Sequence, residues 1–215
     1  MKKLRGLLKA SHFGPTLLVT AISFGFATHY WWEGPAYVIA FGVFTGQLVV
    51  GWSNDLYDYE DDLRHDRQNK PLVAKSISKE TLQRWLRFVV PFSFVANLLG
   101  PLGIKGGLVY MLGIACGVAY NFYFKFSPLS PLPYAIAFAA LPSSIAISKE
   151  ITPPTWMWLG GALFGMAAHF INVIKDMKED RLSEIRGLPQ ILGTTKSIIV
   201  SLVLIALGIT VIFYS

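Results

Sequence analysis

Long apolar runs, separated by short stretches rich in Gly, Pro and charge, dominate this chain. Seven of them read as helices, near residues 15–32, 35–54, 86–104, 106–124, 131–148, 155–175 and 197–214. Runs of about 20 apolar residues match the thickness of a bilayer's hydrocarbon core. In hydrocarbon every backbone N–H and C=O must be bonded within its own segment, so the runs predict helices and not open strands. The expected fold is therefore all-α, a polytopic membrane helical bundle of about seven transmembrane helices, with residues 1–215 forming a single domain. The first run follows Met1-Lys2-Lys3-Leu4-Arg5 as a signal peptide would. It continues into Tyr30-Trp31-Trp32 without a small-x-small cleavage site, so it is expected to be retained.

Composition narrows this further. With 53% hydrophobic residues, 15% charged and a mean hydropathy of +0.47, the chain excludes a water-soluble globule. Seven spans also use up its length. The single Cys116 lies in an apolar stretch and excludes both an intrachain disulfide and a thiolate metal cluster. A net charge of +6 would suit nucleic acid, but the basic residues are interleaved with apolar spans and form no continuous polar face, so no nucleic-acid partner is expected. Membrane lipid is the expected surrounding.

The basic residues instead order the topology. Alternate threading places 17 of the 19 Lys/Arg on one side, leaving Lys105 and Lys149 opposite. The positive-inside rule makes the crowded side cytoplasmic, with the N-terminus inside and the C-terminus outside. Eleven of the 13 Asp/Glu fall on that same side, all but Glu33 and Glu150. They converge in two places, after the second span and after the sixth.

The first cluster reads Asn54-Asp55-Leu56-Tyr57-Asp58-Tyr59-Glu60-Asp61-Asp62, and the second Asn172-Val173-Ile174-Lys175-Asp176-Met177-Lys178-Glu179-Asp180. Both contain Asn-x-x-x-Asp-x-x-x-Asp. If the preceding helix continues at about 100° per residue, Asn54, Asp55, Asp58 and Asp62 share an arc of roughly 100°. The same construction places His169, Asn172, Asp176 and Asp180 on an arc of roughly 80°. Ionised carboxylates are expensive at the edge of a low-dielectric slab, so something must neutralise them. Oxygen ligands at this density suit Mg²⁺, which takes one or two carboxylates and bridges to substrate phosphates. The Asp residues could merely solvate helix ends beside Arg64, Arg67, Lys175, Lys178 and Arg181. Repetition of one spacing after two spans of the same orientation argues against that.

These residues resemble a known family. Asn54-Asp55-x-x-Asp58-x-x-x-Asp62, followed by Asn69-Lys70-Pro71-Leu72 and Ile77-Ser78, is similar to the first signature of the UbiA superfamily of intramembrane prenyltransferases, in a short, 4-hydroxybenzoate polyprenyltransferase-like form. Asp176-x-x-x-Asp180, with Gly187-Leu188-Pro189 and Leu192-Gly193, is similar to the second, and Ala119-Tyr120-Asn121 with Lys125 to a tyrosine-containing segment between them. The resemblance implies a bundle around a central cavity open towards the cytoplasmic side. It implies Mg²⁺ on Asn54, Asp55, Asp58, Asp62, Asp176 and Asp180, with Asp58, Asp62, Asp176 and Asp180 catalytic. Asn54, Arg67, Lys70, Lys125 and Asn172 would bind the diphosphate of a prenyl donor. A lipophilic acceptor, aromatic by this resemblance, would capture the isoprenyl group after Mg²⁺-assisted ionisation.

The chain also departs from the family. Lys70 stands where members usually have Arg, and Lys75 where they have Gly, so the loop should hold a diphosphate less rigidly than a guanidinium fork. Members typically have about nine helices. The expected alternatives are a short variant, a partner subunit completing the bundle, or a truncated and catalytically impaired relative. A cation-binding or transport protein is the alternative from another class, since paired intramembrane carboxylates also mark ion pathways. Such a protein should carry polar residues through the membrane depth, and Asn97 is the main one here. His169 stays unassigned. There is no P-loop, nucleophile elbow or zinc spacing.

The charge division generates a topology test. Cysteines placed near Asp61 and Arg181 in a Cys116→Ala background should label from the cytoplasmic side, and one at Ser215 from the other. Cytoplasmic labelling at both Glu33 and Glu150 would overturn the span assignment.

Overall fold

In the computed structural model, which describes residues 2–215, the described residues form helices and turns with no strand. The helices are α1 (Lys2–Ala10), α2 (Phe13–Tyr30), α3 (Glu33–Arg64), α4 (Lys79–Leu99), α5 (Gly103–Phe122), α6 (Pro131–Ile147), α7 (Gly161–Ile174), α8 (Met177–Leu182), α9 (Leu188–Leu192) and α10 (Thr194–Phe213). A 3₁₀ turn, Phe124–Phe126, precedes α6, and a π turn, Trp156–Gly160, leads into α7. Four stretches are long and apolar enough to cross a membrane, namely α3, α5, Trp156–Ile174 and α10, while α6 is apolar but shorter. The expected spans at 15–32 and 86–104 are occupied by α2 and α4, which do not belong to that set.

The chain groups into two compact units, one up to Gly107 and one from Leu108 to Ser215. In the first, α3 packs against both α2 and α4. Its core joins Ala10, Leu48, Trp52, Leu72, Ile77 and Leu82, so apolar residues of α1, α3, α4 and the loop between α3 and α4 are held together. The Trp52 indole N–H donates to the Leu7 carbonyl at 3.0 Å, which pins α1 to α3. The chain turns from α1 into α2 at His12, whose left-handed backbone (φ 51°, ψ 56°) is uncommon outside glycine. Thr16 Oγ1 secures this corner by donating to the Ser11 carbonyl at 2.6 Å. α4 begins well before its apolar run, because Ser78 caps it by accepting the Thr81 N–H at 3.2 Å.

In the second unit, α7 lies between α6 and α10. Gly165 permits the close approach of α7 to α6, since a Cβ there would sit 2.4 Å from the Tyr134 carbonyl oxygen. Ile198, Ile199, Leu202, Val203 and Leu207 of α10 remain exposed, as side chains facing lipid would.

Two expectations about the acidic stripes part here. α3 runs unbroken to Arg64, carrying the whole first cluster as a continuous helix. The second stripe is not continuous. α7 ends at Ile174, Asp176 takes φ −102° and ψ 0°, and α8 starts afresh at Met177, so the arc constructed for His169 through Asp180 does not hold beyond Asn172. The Asp176 N–H bonds to the Val173 carbonyl at 3.0 Å, one residue closer than an α-helical partner, and this tightening re-aims the chain.

Packing at the α1–α2 corner can be tested at Gly51. An added Cβ would lie 2.8 Å from the Ser11 carbonyl oxygen and 3.0 Å from its Cα, so backbone must move. Gly51→Ala should lower the stability of the detergent-solubilised protein by about 1–3 kcal/mol, read as a fall in melting temperature.

Candidate functional site

α3 presents its acidic stripe with two carboxylates almost fully enclosed, Asp55 and Asp62 each being 2% exposed. One turn separates successive members, and the Asn54 side-chain amide donates to Asp58 Oδ2 at 3.0 Å along that face. Burial at this level requires compensation, and the loop after α3 folds back to supply it. Lys70 Nζ donates to Asp55 Oδ1 at 3.1 Å and lies 3.7 Å from Asp62 Oδ2. Arg67 Nη1 donates to Asp62 Oδ1 at 2.7 Å and lies 3.5 Å from Asp61 Oδ2. Burial alone would push the Lys70 ammonium down, but the facing Asp55 and Asp62 carboxylates outweigh it and hold the group above its ordinary value. Lys70 is therefore a fixed cation.

Turn bonds brace this loop. The Arg67 N–H reaches the Asp62 carbonyl at 3.0 Å, and the Lys70 N–H the Arg67 carbonyl at 2.9 Å, while Leu72, Val73 and Ile77 are buried beneath. Lys75 adopts φ 51°, the left-handed conformation that a glycine would take without cost.

Sequence reasoning missed His12, 42 residues away from the cluster along the chain. Its Nε2 lies 3.2 Å from Asn54 Oδ1 and 3.6 Å from Asp55 Oδ1. Only the left-handed corner at His12 brings it there, and no spacing rule reports that corner.

In the second unit, Asp176 and Asp180 are half-buried and Asn172 is exposed. The Asp180 N–H bonds to the Asp176 carbonyl at 2.9 Å, and Gln190 Nε2 donates to Asp180 Oδ2 at 2.7 Å. Lys125 is buried, with Nζ 5.2 Å from the centre of the Phe126 ring. His169 is enclosed in the protein, its Nε2 3.0 Å from Ser130 Oγ and its ring centre 4.7 Å from that of Tyr134. Gln190 and Ser130 are the two participants that sequence patterns did not reveal.

The donor set is hard. Among the described residues no three His, Cys, Asp or Glu side chains gather around one point. A divalent cation held here would rest on one or two carboxylates and take its other ligands from water or phosphate, which is how Mg²⁺ is usually bound. The residues fit such an ion, because buried Asp55 Oδ2 has no hydrogen-bond partner and belongs to a stripe of three carboxylates, Asp55, Asp58 and Asp62, on α3.

Deep in the first unit, Asn97 is buried, and its Oδ1 has no hydrogen-bond partner. Its side-chain amide donates to the Gly42 carbonyl at 3.1 Å and the Ser93 carbonyl at 2.8 Å, so this polar group ties α4 to α3.

Charge compensation generates a stability comparison. Lys70→Ala leaves Asp55 enclosed without its ammonium and should cost about 2–3 kcal/mol, whereas Lys79→Ala, which breaks an exposed pair with Glu60 and a contact over the Tyr59 ring, should cost at most about 1 kcal/mol. Equal melting temperatures for the two variants would contradict the pairing.

With this geometry established, comparison with known proteins is informative. A lycopene elongase/hydratase of Corynebacterium glutamicum is 25% identical over 181 residues, covering 79% of this chain and 62% of its own length. The digeranylgeranylglyceryl phosphate synthase of Archaeoglobus fulgidus is 26% identical over 148 residues, covering 67% of this chain and 50% of its own. This chain therefore spans under two thirds of either relative. The structure of a UbiA homologue from Archaeoglobus fulgidus bound to GPP and Mg²⁺ shares the fold with a TM-score of 0.81 at 18% identity, over 97% of this chain and 77% of that one. The model of the UbiA prenyltransferase family, whose members are integral membrane proteins, matches residues 15–215, and the chain belongs to that family.

Proposed function

We propose that this protein transfers an isoprenyl group from a prenyl diphosphate to a lipophilic acceptor, with Mg²⁺ as the metal. The observation that carries this reading is the α3 stripe, where enclosed Asp55 and Asp62 sit beside Lys70 and Arg67. A carboxylate stripe alone would repel a diphosphate. Carboxylates beside fixed cations can hold both a metal and the anion that the metal neutralises. The solved homologue bound to GPP and Mg²⁺ supports the same pairing of donor and ion.

In the transfer, the allylic C–O bond of the donor breaks and its electron pair leaves on the diphosphate. The acceptor's electron pair forms the new bond to the allylic carbon, and the acceptor then releases a proton. Mg²⁺, when bound, offsets the charge that accumulates on the departing diphosphate. Asp55, Asp58, Asp62, Asp176 and Asp180 are the residues that would hold it, with Asn54 as a neutral oxygen donor. Lys70 and Arg67 supply charge-assisted hydrogen bonds to phosphate oxygens. Their existing partners are carboxylates of the same cluster, so they are preorganised at the anion's side. Lys125 and Asn172 are proposed as further diphosphate ligands. An apolar surround would protect the allylic cation from water. The acceptor is proposed as lipophilic and, by the family resemblance, aromatic. The N-terminus and both aspartate motifs are assigned to the cytoplasmic side by the positive-inside rule.

The test uses replacements that delete charge and nearly preserve size. Asp62→Asn and Asp180→Asn should each reduce Mg²⁺-dependent turnover of a labelled prenyl diphosphate by at least about a hundredfold. The double variant should be little worse than either single one, as for groups that act as a unit. Glu179→Gln is the control and should retain activity. Normal Mg²⁺-dependent turnover in both single variants would refute the assignment.

A further inference from the structure

α9 is only five residues long, yet both of its ends are fastened within the second unit. At its start, the Leu188 N–H donates to Ser130 Oγ at 3.0 Å. The same oxygen lies 3.0 Å from His169 Nε2, so Ser130 can accept from Leu188 and pass its own hydrogen to the imidazole. Ser130 and His169 are each 1% exposed, and the His169 ring is flanked by Tyr134 at 4.7 Å and Tyr120 at 5.4 Å. Gly187 fits tightly beneath this latch, where a Cβ would come within 2.8 Å of Ser130 Oγ and 2.6 Å of Gln190 Oε1. At the other end, Ser197 Oγ donates to the Pro189 carbonyl at 3.2 Å, and Gly193 at φ 79° stops the helix.

The product of this fastening is the placement of one side chain. Gln190 sends Nε2 to Asp180 Oδ2 at 2.7 Å, while its Oε1 is enclosed without a partner. The amide cannot be reversed, since that would set its oxygen against a carboxylate oxygen. Asp180 needs such a hold. It sits on α8, a helix of six residues that starts afresh after the break at Asp176, and a helix that short is not self-supporting. Fixing one carboxylate oxygen sets the direction of the other.

We infer that Gln190, delivered by the Ser130–His169 latch, is the positioning residue of the second aspartate motif. It touches neither donor nor acceptor. It aims Asp180, and through Asp180 it tunes how tightly the motif takes a divalent cation with a diphosphate. This deepens the prenyltransferase reading and rests on it. Neighbours that orient metal-ligating carboxylates typically change metal affinity by about 10–100-fold when removed.

The experiment measures Mn²⁺ affinity, as a spectroscopic stand-in for Mg²⁺, by titration of the full-length detergent-solubilised protein with geranyl diphosphate present and no acceptor. Gln190→Met keeps the length of the side chain and deletes the donor. It should weaken Mn²⁺ affinity about tenfold with an unchanged melting temperature. Ser130→Ala leaves Gln190 in place but releases the latch, and should weaken affinity in the same direction. The double variant should be no weaker than Gln190→Met alone, because both act through Asp180. Ile191→Ala, on the exposed side of the same helix, should bind as the wild type does. Should Gln190→Met fail to fold, Ser130→Ala carries the test by itself. Wild-type affinity in Gln190→Met, or in Ser130→Ala where that variant stands alone, would overturn this inference and leave the proposed function intact. A wild-type protein that bound no Mn²⁺ with geranyl diphosphate would overturn both.

Discussion

The enclosure of negative charge at the end of α3 is the constraint on which the first unit is organised. Asp55 and Asp62 are withdrawn from water, and an uncompensated carboxylate in that position costs several kcal/mol. The loop after α3 therefore cannot be a free connection. It must return Arg67 and Lys70 to the helix it has just left, and the buried Leu72, Val73 and Ile77 anchor it while it does so. The same apolar residues meet Trp52, which holds α1 through Leu7, so the position of the N-terminal helix follows from the same folding-back. Left-handed backbone at Asp66 and Lys75 is the strain this return accepts.

The two motifs solve one electrostatic problem by different means. The first is written on a continuous helix, so its side chains are fixed by helical geometry and neutralised by a neighbouring loop. The second lies across a break, where one helix no longer fixes Asn172 relative to Asp176 and Asp180, and a hydrogen bond from Gln190 holds Asp180. A continuous stripe can vary its loop and keep its register. A broken one depends on residues remote in sequence, and Ser130, 50 positions before Asp180, is one of them.

That difference also explains what could be read from the chain alone. Apolar runs located every long helix, because backbone satisfaction in hydrocarbon leaves no alternative. They misplaced ends set by capping and not by hydropathy, as at Ser78, where a hydroxyl starts α4 among charged residues. The first stripe was legible because period 3.6 carries it. The second was legible only as far as α7 continues, and no Gly or Pro at Lys175-Asp176 announces the break. His12 and Gln190 were out of reach for a different reason. Each meets its partner through a backbone corner or a short helix, and nothing in either residue's own neighbourhood encodes that meeting.

Polar groups elsewhere in the helices sharpen the case that chemistry belongs to the aspartate motifs. Hydroxyls in apolar helices bond carbonyls three or four residues back, as Thr20, Ser23, Thr45, Ser144 and Ser201 do, and so present little to a passing ion. Asn97 is engaged by Gly42 and Ser93, and His169 by Ser130. The Asn97 amide N–H groups and His169 Nε2 are thus used in holding helices together, while Asn97 Oδ1 and His169 Nδ1 are enclosed without a hydrogen-bond partner. The carboxylates at the ends of α3 and α8 differ in kind. They are ionisable, and those of α3 are gathered on one face beside Lys70 and Arg67 while Asp180 is held by Gln190, the arrangement the proposed function uses to hold an anion through a metal.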